Sequence, residues 1–256
     1  MFDWLDLSPL LGMPEAASAH SAQVDALMGL VHWLMIILFV IWAPFFLYTL
    51  YRFRASKNPK ADYFGVHSHL STYQEVGVVV AELVLLFGFA VPTWAALRAE
   101  ANYPTEEEST VVHVIGEQFA WNVHYPGPDG EFGERDIELI DLQTNPIGLR
   151  PDDPAGADDI VTVNELHVPV DRPVIVHLTS KDVIHSFSLA EMRVKQDAIP
   201  GLSIPLYFTP TSTGDWEISC AQLCGVGHYR MRGYFTVHSE ADFQAWLDEQ
   251  SAGPGA

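Results

Sequence analysis

The architecture turns on ALMGLVHWLMIILFVIWAPFFLYTLY, residues 26–51, which carries no charged side chain. A second run, VGVVVAELVLLFGFAVPTWAAL at residues 76–97, carries one, Glu82. A helix rises about 1.5 Å per residue, so about 20 apolar residues cross a hydrocarbon core of about 30 Å. Both runs exceed that length, and two membrane spans are expected. Pro44, inside the first run, is expected to kink it, which neighbouring helices in a membrane tolerate.

Charge gives the orientation. No Lys or Arg occurs before Arg52, whereas Asp3, Asp6, Glu15 and Asp25 precede the first span. A cleavable signal peptide needs a positive amino-terminal region, so none is expected. Arg52, Arg54, Lys57 and Lys60 fall between the spans. Positive loops stay cytoplasmic, which puts the connection (52–74) inside and both chain ends outside. The expected organisation is an extracytoplasmic segment at 1–25, a two-helix hairpin at 26–98 and an extracytoplasmic domain at 99–256. The place is a bacterial-type inner (cell) membrane. The whole chain of 256 residues has 13 Lys+Arg against 33 Asp+Glu, net −20. Residues 99–256 hold 8 basic and 26 acidic of these, net −18. That acidity excludes nucleic acid as a partner, because phosphate needs a basic face.

Past residue 110 the apolar period shortens. Strands are expected at 111–115, 119–124, 165–170, 173–178, 186–189, 215–219 and 233–237, separated by Pro, Gly and Asp clusters such as Pro126-Gly127-Pro128-Asp129-Gly130. Short strands at such spacing indicate a β-sandwich or barrel. Residues 101–109 read as a solvated linker, 143–159 as a long surface loop, 241–250 as a closing helix and 251–256 as a frayed tail.

The chemistry is concentrated in Cys220-Ala-Gln-Leu-Cys224-Gly-Val-Gly-His228-Tyr-Arg-Met231, with His185 upstream in Asp182-Val-Ile-His185-Ser186. The chain's two cysteines exclude a multi-disulfide framework. Thiolate, thioether and imidazole donors favour copper, iron–sulfur or zinc over magnesium or calcium. A tetrahedral zinc would use both Cys and both His and leave Met231 idle, so the set points to copper. The other histidines (113, 124, 167, 177 and 238) read as structural, and His67 and His69 as solvated in the loop between the spans.

The pattern resembles the CuA centre of subunit II of haem–copper cytochrome c oxidases. The shared features are Asp182-Val-Ile-His185-Ser186, Lys195-Gln-Asp197-Ala-Ile-Pro200-Gly201 and Cys220-x3-Cys224-Gly-x2-His228-x2-Met231, and the likeness covers nearly the whole chain. It implies a membrane α-hairpin of two transmembrane helices carrying an all-β cupredoxin-like Greek-key sandwich. It also implies two copper ions bridged by Cys220 and Cys224, ligated by His185 and His228, with Met231 and the backbone carbonyl of Gln222 as weak axial donors. In most of the family residue 222 is Glu, whose carboxylate serves a magnesium ion shared with subunit I. Gln222 keeps the carbonyl and lacks that carboxylate, which puts the magnesium in doubt.

The family's aromatic run is replaced here by Gln118-Phe119-Ala120-Trp121-Asn122. Phe119 occupies the position at which electrons arrive, and Trp121 is the remaining tryptophan. Glu75 resembles the Glu at the mouth of a proton path, as ionisable residues at span boundaries often are functional. Glu82, about 10 Å deeper by helical rise, has no assigned role.

The implied function is electron transfer from a c-type cytochrome through CuA to haem in subunit I, where dioxygen is reduced to water and protons are pumped. The implied partners are subunits I and III, the cytochrome and the lipid bilayer. No Cys-x2-Cys-His occurs, so no c-type haem is attached to this chain. The rivals are a CuA-bearing nitric oxide reductase subunit, a quinol oxidase subunit (which lacks the copper ligands) and a membrane-anchored copper-delivery protein, which resembles a thioredoxin fold with one span.

Overall fold

The computed structural model describes residues 7–61, 63–65 and 67–251. Asp3, Asp6 and residues 252–256 of the expected tail lie outside the described residues. The chain forms two compact units, residues 1–13 with 22–99, and residues 14–21 with 100–256.

The first unit is helical. Helix α1 spans Ser21–Arg52 and continues through Pro44. The second apolar run becomes α2 (Leu70–Leu85), a single π-helical turn (Leu86–Ala90) and α3 (Val91–Arg98). The widened turn has a local cause. Pro92 has no N–H to give to Gly88 four residues back, so the ladder is interrupted just before α3. Both helices begin about a turn and a half earlier than the apolar pattern indicates, at Ser21 and Leu70. The connection is therefore shorter than 52–74, and Glu75 lies inside α2. Leu34, Leu38, Ile41 and Trp42 of α1 line a groove with Gln74, Gly77, Val78 and Ala81 of α2. Elsewhere α1 is apolar all round and exposed, with Phe39 at 72% and Phe46 at 60%. Such a helix needs lipid or a partner around it. Both helical runs are long and apolar enough to cross a membrane, and the protein is membrane-anchored.

The second unit is a sandwich of two five-stranded sheets. In chain order the strands are β1 (Thr110–Glu117), β2 (Ala120–Tyr125), β3 (Ile160–Val163), β4 (Glu165–Pro169), β5 (Val174–Ser180), β6 (His185–Leu189), β7 (Val194–Ala198), β8 (Ile204–Phe208), β9 (Gly214–Cys220) and β10 (Arg232–His238). One sheet has the order β3-β2-β1-β5-β8 and the other β4-β10-β9-β6-β7. The pairs β1–β5 and β4–β10 are parallel and the others antiparallel, the mixed pattern of a Greek-key, cupredoxin-like sandwich. All seven expected strands are present. The three that the pattern does not reveal, β3, β7 and β8, are edge strands, two being short and polar or proline-bearing.

Inward-facing residues of both sheets meet in one core, including Val112, Val114, Val123, Leu166, Val176, Phe187, Leu206, Phe208, Ile218 and Phe235. The closing helix α4 (Glu240–Ser251) seats Phe243 against His238 and stacks Trp246 on His167. A strap from before the first helix completes the unit. Ala17 N–H donates to Glu191 O (2.9 Å), Ala19 N–H to Thr209 O (3.0 Å) and Thr211 N–H to Ala17 O (2.9 Å). Ala17 is buried, and Trp216 Nε1 donates to Glu15 Oε1 at 3.1 Å.

Phe208 is fully buried, with its ring centroid 5.9 Å from that of Phe235, and it pairs with Val174 at the start of β5. Truncating a buried Phe removes transfer free energy and leaves a cavity. Phe208→Ala is expected to lower unfolding free energy by about 3–5 kcal/mol in denaturant titration, while the spectrum of metal bound at the cysteine loop stays unchanged.

Candidate metal centre

The centre is built at one end of the sandwich by three segments. His185 opens β6, Cys220 closes β9, and the loop from Ala221 through the 3-10 turn His228–Arg230 returns the chain to β10 by way of Met231. Two antiparallel pairs, Phe187 with Cys220 and Ser188 with Ser219, hold β6 beside β9. The loop closes on itself through Ala221 N–H to Ser186 O (2.9 Å), His228 N–H to Gly225 O (3.1 Å) and Cys220 N–H to Met231 O (3.3 Å).

The donor atoms converge. Cys220 Sγ lies 3.8 Å from Cys224 Sγ, 4.0 Å from His185 Nδ1 and 3.2 Å from the Gln222 carbonyl oxygen. Cys224 Sγ lies 3.6 Å from both His228 Nδ1 and Met231 Sδ. The thiols are free, and their separation is far beyond the roughly 2.05 Å of a disulfide. His185, Cys220 and Cys224 are the one trio of metal-ligating side chains among the described residues whose donor atoms all lie within 4.8 Å. Two thiolates in the middle, an imidazole on each side, and a thioether and a carbonyl at the margins form a soft donor set that fits copper.

Neighbours orient the ligands. His185 is fully buried, and its Nε2 is 2.9 Å from Asp182 Oδ1, so Nε2–H donates to the carboxylate and Nδ1 faces Cys220. A carboxylate behind a ligating imidazole fixes its tautomer and raises its basicity. Asp182 also accepts from Val183 N–H (2.7 Å) and, through Oδ2, from Gln118 N–H (2.7 Å). Burial works against ionising this carboxyl, but these bonds outweigh it and hold its pKa below the usual range. Burial likewise opposes charging His185, yet hydrogen bonds to Cys220 and Asp182 raise its pKa. The β1–β2 hairpin backs the site. A Cβ on Gly116 would sit 2.9 Å from the His185 ring, and Trp121 is fully buried with its ring centroid 5.9 Å from that of His185. Gln118 Nε2 donates to Cys224 O at 2.7 Å.

The two thiols differ. Burial raises the Cys220 pKa, but hydrogen bonds from His185, the backbone at Ser186 and Gln222, and His228 more than offset it and bring the thiol to about 6. Cys224 is pushed up to about 11, by burial first and then by the neighbouring Cys220.

Of the residues singled out in the sequence, His185, Cys220, Gln222, Cys224, His228 and Met231 come together. Phe119 packs its ring over Gly225 and Gly227 of the cysteine loop. Trp121 stands behind His185 in the core. Glu75 and Glu82 are exposed on α2, in the other unit. The remaining domain histidines have structural settings. His124 pairs with Asp159 at 2.6 Å, His167 with His238 at 2.8 Å, and His113 stacks on Phe132. Sequence reasoning gave Asp182 no role, although its place three residues before His185 was visible. Gly116 and Gln118 meet the site only through space and leave no comparable signal, whereas Gly225 and Gly227 lie within the cysteine loop itself.

A family model described as cytochrome C oxidase subunit II, periplasmic domain, matches residues 110–235. The alternative cytochrome c oxidase subunit 2 of Bradyrhizobium diazoefficiens is 34% identical over 233 residues, covering 91% of this chain and 82% of the relative. Cytochrome c oxidase subunit 2 of Synechocystis is 28% identical over 264 residues, covering 94% and 76%. The crystal structure of the periplasmic domain of cytochrome oxidase subunit II from Bradyrhizobium japonicum superposes with a TM-score of 0.43 at 28% identity, over 58% of this chain and 96% of that one.

In the metal-free chain, Cys220 is expected to be alkylated with a pH midpoint near 6, as thiolate above and thiol below, while Cys224 stays protonated until about 11. Removing the imidazole in His185→Ala should move the Cys220 midpoint up toward about 8.5, the value of a free thiol. Site-resolved mass spectrometry of iodoacetamide adducts checks both, and equal midpoints for the two cysteines would contradict the asymmetry.

Proposed function

This chain belongs to the cytochrome c oxidase subunit II family, and from that membership we propose that its cysteine loop holds a binuclear copper centre, CuA, that receives electrons from a c-type cytochrome and passes them to haem in subunit I. The observation that carries the reading is the thiol pair 3.8 Å apart with an imidazole nitrogen on either side. Cys220 and Cys224 would bridge the two ions, His185 and His228 would each ligate one, and Met231 and the Gln222 carbonyl would be the outlying donors. When bound, the copper pair supplies one-electron redox chemistry with the odd electron shared between the ions.

The chain's own residues keep that chemistry fast by not moving. Asp182 holds the His185 ring in one tautomer. The buried Trp121 and Phe187 rings pack behind it and exclude water. Phe119, half-buried over the cysteine loop, is the residue through which electrons would arrive. Oxygen reduction and proton pumping belong to the partner subunits, and this chain is the electron-accepting part of that oxidoreductase. A residue at 222 without a carboxylate offers no side-chain oxygen anion for magnesium, so we propose that this chain contributes its carbonyl alone. The sandwich of two five-stranded sheets favours this reading over a thioredoxin-like copper carrier.

The topology we propose is a two-span hairpin with both ends outside. The cluster of Arg52, Arg54, Lys57 and Lys60 in the connection supports it. We further propose Glu75 as a proton-path carboxylate at the edge of the second span, and subunits I and III as the partners of the hairpin.

Copper-loaded full-length chain in detergent is expected to give a seven-line electron paramagnetic resonance pattern, with two coppers per chain by metal analysis. Cys220→Ser should abolish it, since one bridging sulfur is lost. One copper per chain with a four-line signal would sink the binuclear assignment. With the assembled oxidase, the net −18 of residues 99–256 should make association with a basic cytochrome slow as ionic strength rises, because a Debye length of about 8 Å at 0.15 M screens surface charge. Stopped-flow rates that ignore salt would remove electrostatic steering from the proposal.

A further inference from the structure

We infer that Gln118 is a positioning residue that ties the two halves of the centre together, an inference that rests on the copper reading above. It sits in the turn between β1 and β2, more than a hundred residues from the cysteine loop, and it is bonded to both sides of the site. Its backbone N–H donates to Asp182 Oδ2 at 2.7 Å, and Asp182 Oδ1 accepts the hydrogen bond from His185 Nε2–H. Its side-chain Nε2 donates to Cys224 O, also at 2.7 Å. One residue thus fixes the carboxylate that aims one imidazole and the peptide that carries one bridging sulfur.

The loop is shaped to accept this tie. Gly225 has φ +139, a conformation that L side chains rarely adopt, and a Cβ there would lie 2.6 Å from Gln118 Nε2. A Cβ on Gly227 would overlap the Phe119 ring. Both glycines are thereby required for the loop to close against Gln118 and Phe119. A turn that served only to connect β1 with β2 would not need the facing loop to be stripped of side chains at two positions.

The consequence is specific. The Cys224 arm is a side-chain bond, while the Asp182 arm is a backbone bond that survives substitution. Replacing the side chain therefore loosens the Cys224–His228 half and leaves the His185 half in place. Orbital overlap between donors and metal depends on the direction of Cys224 Cα–Cβ, which the bonded peptide sets. A neutral hydrogen bond contributes about 0.5–1.5 kcal/mol net, so the effects read by experiment should be about threefold to tenfold.

Gln118→Met keeps the shape of the side chain and removes the donor. In full-length chain in detergent without metal, backbone amides of residues 222–228 should exchange with deuterium about threefold to tenfold faster than in the parent, with amides of β6 unchanged. After copper loading, release to a chelator should accelerate by a similar factor and the hyperfine couplings of the two histidines should diverge. If Gln118→Met does not fold, Gly225→Ala, which crowds the same amide from the other side, is to be read by the same exchange and release measurements. Unchanged exchange in 222–228, or unchanged copper release, overturns the assignment. A parent chain that binds no copper would defeat the copper reading instead, and the metal-free exchange comparison would still decide whether Gln118 orders the loop.

Discussion

The structure depends on a short pairing between two strands, β6 and β9, at Phe187–Cys220 and Ser188–Ser219. Everything the centre needs follows from it. His185 stands two residues before Phe187 on the same strand, so its ring points inward beside the last residue of β9. Cys220 therefore meets an imidazole across a sequence gap of 35 residues. From there the chain needs one tight loop to present a second thiol, a second imidazole and a thioether. Each loop donor is within eleven residues of Cys220, so little loop-closure entropy is added once the strands are paired. The rigidity of the ligands is thus the rigidity of a sheet buried in a core, and reorganisation at the site is limited by the packing of Trp121 and Phe187 behind His185.

What the sequence reveals about this fold follows burial. Strands with inner-face apolar residues, such as β1, β5 and β10, alternate clearly and are found. Of the four edge strands only β4, with Leu166 and Val168 buried, is found, and β3, β7 and β8 are not. In β7, Val-Lys-Gln-Asp-Ala faces solvent along one side and buries only Ala198. In β8, Pro205 interrupts the donor row, which a strand at an edge can tolerate, and the apolar pattern is split by it. Edge pairing is supplied by backbone groups of a neighbour already in place, and that cooperation has no local signature. The membrane helices show the converse, since lipid demands apolar side chains all round and the signal is complete except at the ends, where polar residues such as Ser21 and Gln74 extend the helices beyond the apolar runs.

The metal centre is legible to a different depth. Ligands must be of particular chemical types, so Cys220, Cys224, His228, Met231 and His185 announce themselves. Their supporters need only a shape or a single hydrogen bond. Gly116 leaves room for the His185 ring, and Gln118 reaches Cys224 O, yet a glycine and a glutamine are unremarkable on the page of a sequence. Asp182 lies between these cases. Its spacing from His185 is suggestive, but the two further N–H donors that hold it ionised come from Val183 and from the distant Gln118.

The strap before α1 alters where the β unit begins. Residues 14–21 lie on the far side of the hairpin in sequence, yet they bury Ala17, bridge to Pro210 and satisfy backbone groups at Glu191 and Thr209. Arg193 reaches back to Pro14 O at 2.7 Å, and Ser18 Oγ donates to Met192 O at 2.8 Å. At about 1 kcal/mol net for each satisfied bond, these contacts represent a large share of the 5–15 kcal/mol that stabilises an ordinary domain. A fragment starting at residue 99 would lose Ala17 from the core, leave the Met192 carbonyl without Ser18 and leave Trp216 Nε1 without Glu15. Because Glu191 and Arg193 lie in the turn that joins β6 to β7, loss of the strap would be felt on the strand that opens with His185. The membrane anchor and the copper-binding sandwich are thus connected twice by the chain, once at each end of the hairpin, and the earlier connection is part of what holds the sandwich in shape.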